Sequence, residues 1–219
     1  MTEATPAAAT SLHLKGLNPE QREATEHFEG PILVLAGAGS GKTRVLTSRI
    51  CHLVREHGVA PGRILAVTFT NKAAGEMRER IARMLASEPA GMWVGTFHAV
   101  GARILRTHAD RLGWSRGFTI FDQDQSLRLV KKVQEHVGLD PKRWNPKALR
   151  AEMSNAKNQL ATAEAFAAEN EGSFDLLVRA VAKVFPAYQT ALRDQNAFDF
   201  DDLLQKPVEL LEENPAILE

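Results

Sequence analysis

The sequence predicts an α/β protein: a parallel sheet flanked by helices, followed by a long all-helical stretch. Three observations point there. The first is ILVLAGAGSGKT, Ile32 to Thr43, in which an apolar run, a loop of small residues and a helix start follow one another directly. The second is the strand-then-helix order continuing through Arg63–Phe69, Asn71–Leu85 and Met92–Val94, a βαβαβ pattern that implies parallel strands joined by crossover helices. The third is a change of period after Arg106, beyond which apolar residues recur at helical spacing.

Ile32–Leu35 reads as a buried parallel strand, and Ala36–Gly41 as the glycine-rich loop after it. Strand, glycine-rich loop and helix in that order form a phosphate-binding loop. Glycines let successive backbone N–H groups turn inward on phosphate oxygens, and the helix N-terminus adds partial positive charge. The nucleotide-binding residues expected here are Ala36, Gly37, Ala38, Gly39, Ser40, Gly41, Lys42, Thr43 and Arg44. Lys42 would reach the outer phosphates and the Thr43 hydroxyl would hold Mg²⁺. Ala36 stands where the strict pattern has glycine.

Before the loop, Asn18-Pro19-Glu20-Gln21 is a helix start: Asn18 can cap, Pro19 suits the first helical position and Gln21 can close a capping box. After it, Leu46, Ile50, Leu53 and Val54 mark a helix that Gly58 and Pro61 end. Thr68-Phe69-Thr70-Asn71-Lys72 and Gly95-Thr96-Phe97-His98 each lie where a strand gives way to a helix, the end of an open α/β sheet at which ligands bind. Each offers hydroxyls, an aromatic ring and a helix N-terminus, the groups that contact phosphates and stack bases. Taken singly, Thr70 and Thr96 read as helix caps and Phe69 and Phe97 as core residues.

The later helices are expected over 123–136, 146–157, 162–170 and 175–195, with a short strand at Phe118–Phe121. Phe198-Asp199-Phe200-Asp201-Asp202-Leu203-Leu204 is a dense acidic and aromatic knot. A magnesium-holding carboxylate in such a fold follows a buried strand. None is evident before Asp199, so this reads as a helix start with Asp199 or Asp201 in the first turn.

Composition excludes several classes. At 219 residues, 44% hydrophobic and 25% charged, the chain is long enough for a sizeable core. Its one cysteine, Cys51, cannot form an internal disulfide and reads as a packing residue in a reducing, cytoplasmic setting. Residues 1–14 read as a disordered tail without the features of a signal peptide, and no apolar run is long enough to cross a membrane. Net charge is zero, but residues 41–116 carry 13 Lys/Arg against 5 Asp/Glu, which suggests a local anionic partner.

Together these pieces resemble the amino-terminal part of the UvrD/PcrA/Rep family of superfamily 1 DNA helicases, over nearly all of Leu17–Glu219. LNPEQREA (Leu17–Ala24) resembles the family's Q motif, which implies that Gln21 reads adenine. AGAGSGKT (Ala36–Thr43) matches motif I, with alanine normal at its first position. AVTFTNKAAGEMRERI (Ala66–Ile81) resembles motif Ia and VGTFHAVGARILR (Val94–Arg106) motif Ib. The resemblance implies single-stranded DNA contacts at Thr68, Phe69, Thr70, Asn71, Lys72, Thr96, Phe97 and His98. FDFDDLL (Phe198–Leu204) resembles the segment that returns the chain to the motor domain after a helical insertion. The implied fold is the recombinase-like P-loop NTPase sheet with an all-helical inserted subdomain. That gives a motor domain over 15–110, an insertion over 111–195 and an incomplete return over 196–219.

The family's next strand, carrying the Asp-Glu pair that anchors Mg²⁺ and activates water (Walker B), would follow Glu219. The expectation is therefore a truncated front part of an ATP-dependent 3′–5′ DNA helicase of repair or replication. ATP and Mg²⁺ are its cofactors, with single-stranded or 3′-tailed duplex DNA and repair proteins as partners. The alternatives are a nucleotide- and DNA-binding module without turnover and, more remotely, a small-molecule kinase, which would leave the Q motif and DNA motifs as coincidences.

Overall fold

The structure, a computed structural model, describes residues 12–218. The tail expected over residues 1–14 lies outside the described residues as far as residue 11. Residues 12–14 belong instead to a turn that buries His13, a correction to that part of the expectation. Contacts divide the chain into two compact units, with the division between Phe97 and His98.

In the first unit, α1 (Pro19–Glu26) starts at the expected capping box, in which Asn18 and Gln21 bond each other's backbone N–H. It is followed by α2 (Lys42–Arg55), one 3-10 turn at Pro61–Arg63, β1 (Leu65–Thr68), α3 (Asn71–Leu85) and β2 (Trp93–Thr96). β1 and β2 run parallel, with Leu65 opposite Trp93 and Thr68 opposite Thr96. Parallel neighbours cannot be joined by a tight turn, and α3 supplies the crossover. Ile50 and Cys51 of α2 pack with Ile64, Ala66, Met77, Ile81, Met92 and Val94 to make the core. Burial pushes the Cys51 thiol up to about 11, in keeping with a packing role.

The expected strand at Ile32–Leu35 does not form. The segment has no ladder partner among the described residues, and Leu33 and Leu35 are more than four-fifths exposed. An apolar run takes strand form only where neighbours satisfy its N–H and C=O groups on the ladder edges, and among the described residues β1 and β2 pair only with each other. Arg63–Phe69 is also less buried than its composition suggests. Ile64 and Ala66 face the core, while Leu65 and Phe69 face outward.

In the second unit, the rest of α4 (Phe97–His108) leads through a 3-10 turn to β3 (Thr119–Ile120). Then come α5 (Gln123–His136), α6 (Pro146–Asn158), α7 (Ala163–Asn170), α8 (Leu176–Asp194), β4 (Ala197–Phe198) and α9 (Asp202–Glu213). The four central helices fall within a residue or two of the expected spans, because polar caps mark their starts: Asp122, Asn145, Thr162 and Asp175 each bond an N–H of the first turn. Leu129, Val130 and Val133 of α5, Leu149 and Met153 of α6, and Val181, Phe185 and Tyr188 of α8 share one core.

β3 pairs parallel with β4, so a short buried strand does precede Asp199, contrary to the expectation. Leu105 of α4 packs with Trp114, Phe118, Phe198 and Leu203. A methyl group at Gly101 would meet the Leu203 carbonyl oxygen at 1.9 Å, so α4 and α9 touch backbone to backbone where only glycine fits. These contacts tie α4 to the residues after it. Among the described residues no helix is long and apolar enough to cross a membrane.

Candidate functional site

The loop between Ala36 and Thr43 is exposed and takes the backbone forms that glycine permits. Gly39 (φ 75°) and Gly41 (φ 83°) are left-handed, and Gly41 is the N-cap of α2. No side chain caps the N–H groups at the head of α2, and its first turn holds no acid. A helix head with uncapped donors and no neighbouring carboxylate is a place for an anion. Lys42 Nζ folds back onto the loop and donates to the carbonyls of Ala36 (2.8 Å) and Gly37 (2.6 Å), while Ser40 Oγ donates to Gly37 O at 2.7 Å. A phosphate entering this loop would have to draw the ammonium away from those carbonyls. Thr43 is exposed in the first turn of α2, its hydroxyl one residue beyond Lys42.

Gln21 is bonded to this loop. Its Nε2 donates to Ser40 O at 2.9 Å and its Oε1 accepts from Asn18 N at 3.1 Å. A primary amide has two N–H donors and two lone pairs, so one of each is left over. That remainder matches a base edge that both donates and accepts, as adenine does. Gly41 leaves Gln21 room, since a Cβ there would lie 2.9 Å from Nε2. Arg44 turns away from the loop and donates to Lys15 O at 2.8 Å, so the nucleotide role expected for it requires it to leave that carbonyl.

The second group of expected residues lies at the carboxyl ends of β1 and β2. Thr68 and Thr96 are register partners, so the loops after them leave the sheet together. The core reading of the aromatics fails: Phe69 is 90% exposed and Phe97 is 46% exposed, with ring centroids 5.8 Å apart at a 47° tilt. Two exposed rings side by side, next to the exposed Asn71 and Lys72 at the head of α3, form a stacking platform with a cation beside it. Thr70 caps α3 by accepting from Ala73 N at 3.1 Å, as expected for a cap. Thr96 is buried. His98 belongs to the second unit, where its ring lies 4.8 Å from that of Phe200.

Asp199 and Asp202 of the acidic knot are tied into an internal ion-pair network. Lys157, buried at 2% exposure, donates to Asp199 Oδ2 and Asp202 Oδ1, each at 2.8 Å. Tyr188 OH donates to Asp199 Oδ2, Gln189 Nε2 to Asp202 Oδ1, and the two aspartates accept each other's backbone N–H through their remaining oxygens. Every carboxylate oxygen of Asp199 and Asp202 is therefore committed. Burial opposes the charge on both acids. Lys157 outweighs it at Asp199 and holds that carboxyl below its usual range, whereas burial and the neighbouring Asp199 charge raise Asp202. Sequence reasoning missed Lys157, which lies 42 residues before Asp199 and carries no local sign of its partners.

The profile described as the UvrD/REP helicase N-terminal domain matches residues 17–219. Among similar proteins, the ATP-dependent DNA helicase UvrD1 of Mycobacterium leprae is 45% identical over 220 residues, covering 100% of this chain and 28% of that protein. UvrD1 of Mycobacterium tuberculosis is 49% identical over 214 residues, 97% of this chain and 28% of the relative. The ATP-dependent DNA helicase PcrA of Bacillus subtilis is 44% identical over 206 residues, 94% of this chain and 28% of the relative. The chain thus spans about 28% of the length of the curated relatives it matches. With nearly its whole length matched by that profile, the chain belongs to the UvrD/REP helicase family and corresponds to its N-terminal domain.

Proposed function

We propose that this chain is the ATP- and single-stranded-DNA-binding front part of a 3′–5′ DNA helicase acting in the cytoplasm on repair or replication intermediates. Its fold in this reading is the first part of a P-loop motor domain over 15–110, a helical insertion over 111–195 and a return segment over 196–219. The observation that carries it is the junction of Gln21 with the glycine loop: the Nε2 bond to Ser40 O sets an amide with a spare donor and acceptor beside an uncapped helix head and Lys42. That combination suits a nucleotide with an adenine base and a phosphate chain better than a phosphate alone.

In this reading, triphosphate binding draws Lys42 Nζ off the Ala36 and Gly37 carbonyls onto the outer phosphates, and the uncapped N–H groups of α2 take the inner ones. Mg²⁺ would supply charge neutralisation between the phosphates, and the Thr43 hydroxyl, exposed in the first turn of α2, fits as this chain's ligand to it. Asp199 and Asp202 do not fit, because their oxygens are spent on Lys157, Tyr188, Gln189 and each other. DNA bases stack on Phe69 and Phe97, and Lys72 meets a phosphate. The support is the exposure of both rings, which a purely structural role would have buried.

A second reading, binding without turnover by residues 1–219 alone, is favoured by one feature: the oxygens of Asp199 and Asp202 are all bonded within the chain, leaving neither acid for a metal or for water. Phosphoryl transfer also needs a water-positioning group and an arginine finger, and the finger alone contributes about 10³–10⁵ in rate. Purified 1–219 with saturating single-stranded DNA should therefore bind ATP yet hydrolyse it at background. Robust DNA-stimulated turnover, abolished by Lys42→Ala, would show a complete site within these residues.

A further inference from the structure

The first unit holds a second group of chemically able side chains, apart from the loop at Ala36–Thr43. His13 sits in the turn at residues 12–16 and is 1% exposed; His52 lies on α2 and is 9% exposed. Glu56 follows His52 by four residues, one helical turn, so the two side chains share a face of α2. His13 Nε2 lies 3.1 Å from His52 Nδ1 and 4.0 Å from Glu56 Oε1, and one ligand atom from each of the three falls within 4.8 Å of the others. We propose that His13, His52 and Glu56 form a binding site for a borderline divalent cation of the Zn²⁺ class, which staples the turn at residues 12–16 to α2.

The distances suit that ion. Two nitrogens on a tetrahedral zinc stand about 3.3 Å apart when each Zn–N bond is about 2.0–2.1 Å. The imidazole pair already has that spacing. Glu56 has to close by less than an ångström, and its side chain is 44% exposed. Two buried imidazoles and one carboxylate leave the fourth position to water, the arrangement of an open zinc site. Nitrogen ligands favour Zn²⁺ over Mg²⁺, whose preferred ligands are oxygens.

Protonation agrees. Burial lowers both imidazoles below their usual range. His13 is lowered further by His52 and Arg55 and raised by Glu56 and Glu26; His52 is lowered further by His57 and Arg49 and raised by the same two glutamates. Neutral rings keep a lone pair for a metal. His13 Nδ1 is buried with no hydrogen-bond partner, so nothing on that side fixes its tautomer, and Nε2 can turn its lone pair toward His52 and Glu56. Without an ion, two neutral rings can share only one proton across the 3.1 Å gap. An ion there would also steady Lys15, whose carbonyl receives the Arg44 guanidinium.

The test uses the whole 1–219 chain, stripped with a chelator and titrated with Co²⁺, whose tetrahedral complexes absorb strongly in the visible, then displaced with Zn²⁺. Zn²⁺ affinity is taken from calorimetry and thermal stability from circular dichroism. One equivalent of Zn²⁺ should bind and raise the melting temperature. His13→Gln and His52→Gln should each weaken binding by at least about tenfold and abolish the thermal shift. His136→Gln, on α5, should change neither. Glu56→Gln, an isosteric change at an exposed position, should also weaken binding, which keeps the test valid if a buried histidine variant fails to fold. Absence of stoichiometric uptake, or uptake unaltered by Glu56→Gln and by either folded histidine variant, would overturn the proposal.

Discussion

Replacing Phe69 by alanine separates a DNA-stacking role from a structural one, because the ring is 90% exposed. Burying a whole phenylalanine side chain contributes roughly 1.5–3 kcal/mol, so a ring only one-tenth covered holds no more than about 0.3 kcal/mol of fold stability. Phe97, 5.8 Å away, loses only one edge of its surroundings. Stacking of one base on an aromatic side chain contributes roughly 1–3 kcal/mol. Phe69→Ala should therefore weaken binding of a labelled oligothymidine by a factor of roughly 5 to 150 while leaving the melting temperature within about 1–2 °C of the parent. Fluorescence anisotropy at several salt concentrations gives the affinity, and its salt slope should stay unchanged because no phosphate contact is removed. Unchanged affinity, or a large drop in melting temperature, would refute the reasoning: the first would remove Phe69 from the DNA path and the second would make it a core residue.

Two further outcomes follow from the same geometry. Gln21→Ala should bring ATP and GTP affinities together while keeping most triphosphate binding, since Lys42 and the head of α2 are untouched; competition titrations read this directly, and an unchanged ATP preference would reduce Gln21 to a capping residue. Lys157→Met should destabilise the fold by about 3–5 kcal/mol in urea denaturation at pH 7, because it leaves Asp199 and Asp202 buried without their cation. Without Lys157 both acids sit above their unfolded values in the folded state, so the variant should regain stability as pH falls toward 5; a loss on acidification would contradict the network.

What the sequence reveals here follows from how local each cause is. α1, α3 and α5 are legible because their caps and periodicity lie within the segment itself: Asn18 with Gln21, Thr70 with Ala73, Asp122 with Gln125. The glycine loop is legible for the same reason, its left-handed turns needing Gly39 and Gly41. The failure of Ile32–Leu35 to form a strand is not, since strand form depends on neighbours that no residue within the segment specifies. Nor is the orientation of Phe69: an apolar residue at a strand end reads as core, and only the resemblance to motif Ia turned it toward DNA. The Lys157 network and the burial of His13 were out of reach because their partners lie 42 and 39 residues away in the chain.

The proposed function requires that Lys42 and the loop around it hold a nucleotide. The most direct measurement is a titration of a fluorescent ATP analogue with Mg²⁺ into the parent chain and into Lys42→Ala. Among the described residues Lys42 Nζ is bonded only to the Ala36 and Gly37 carbonyls of an exposed loop, so its removal should leave the fold unchanged. The loss of a charged hydrogen bond or two should weaken the analogue by about 2–4 kcal/mol, a factor of roughly 30 to 1,000. Equal affinities for parent and variant would contradict the assignment of this loop as the nucleotide site.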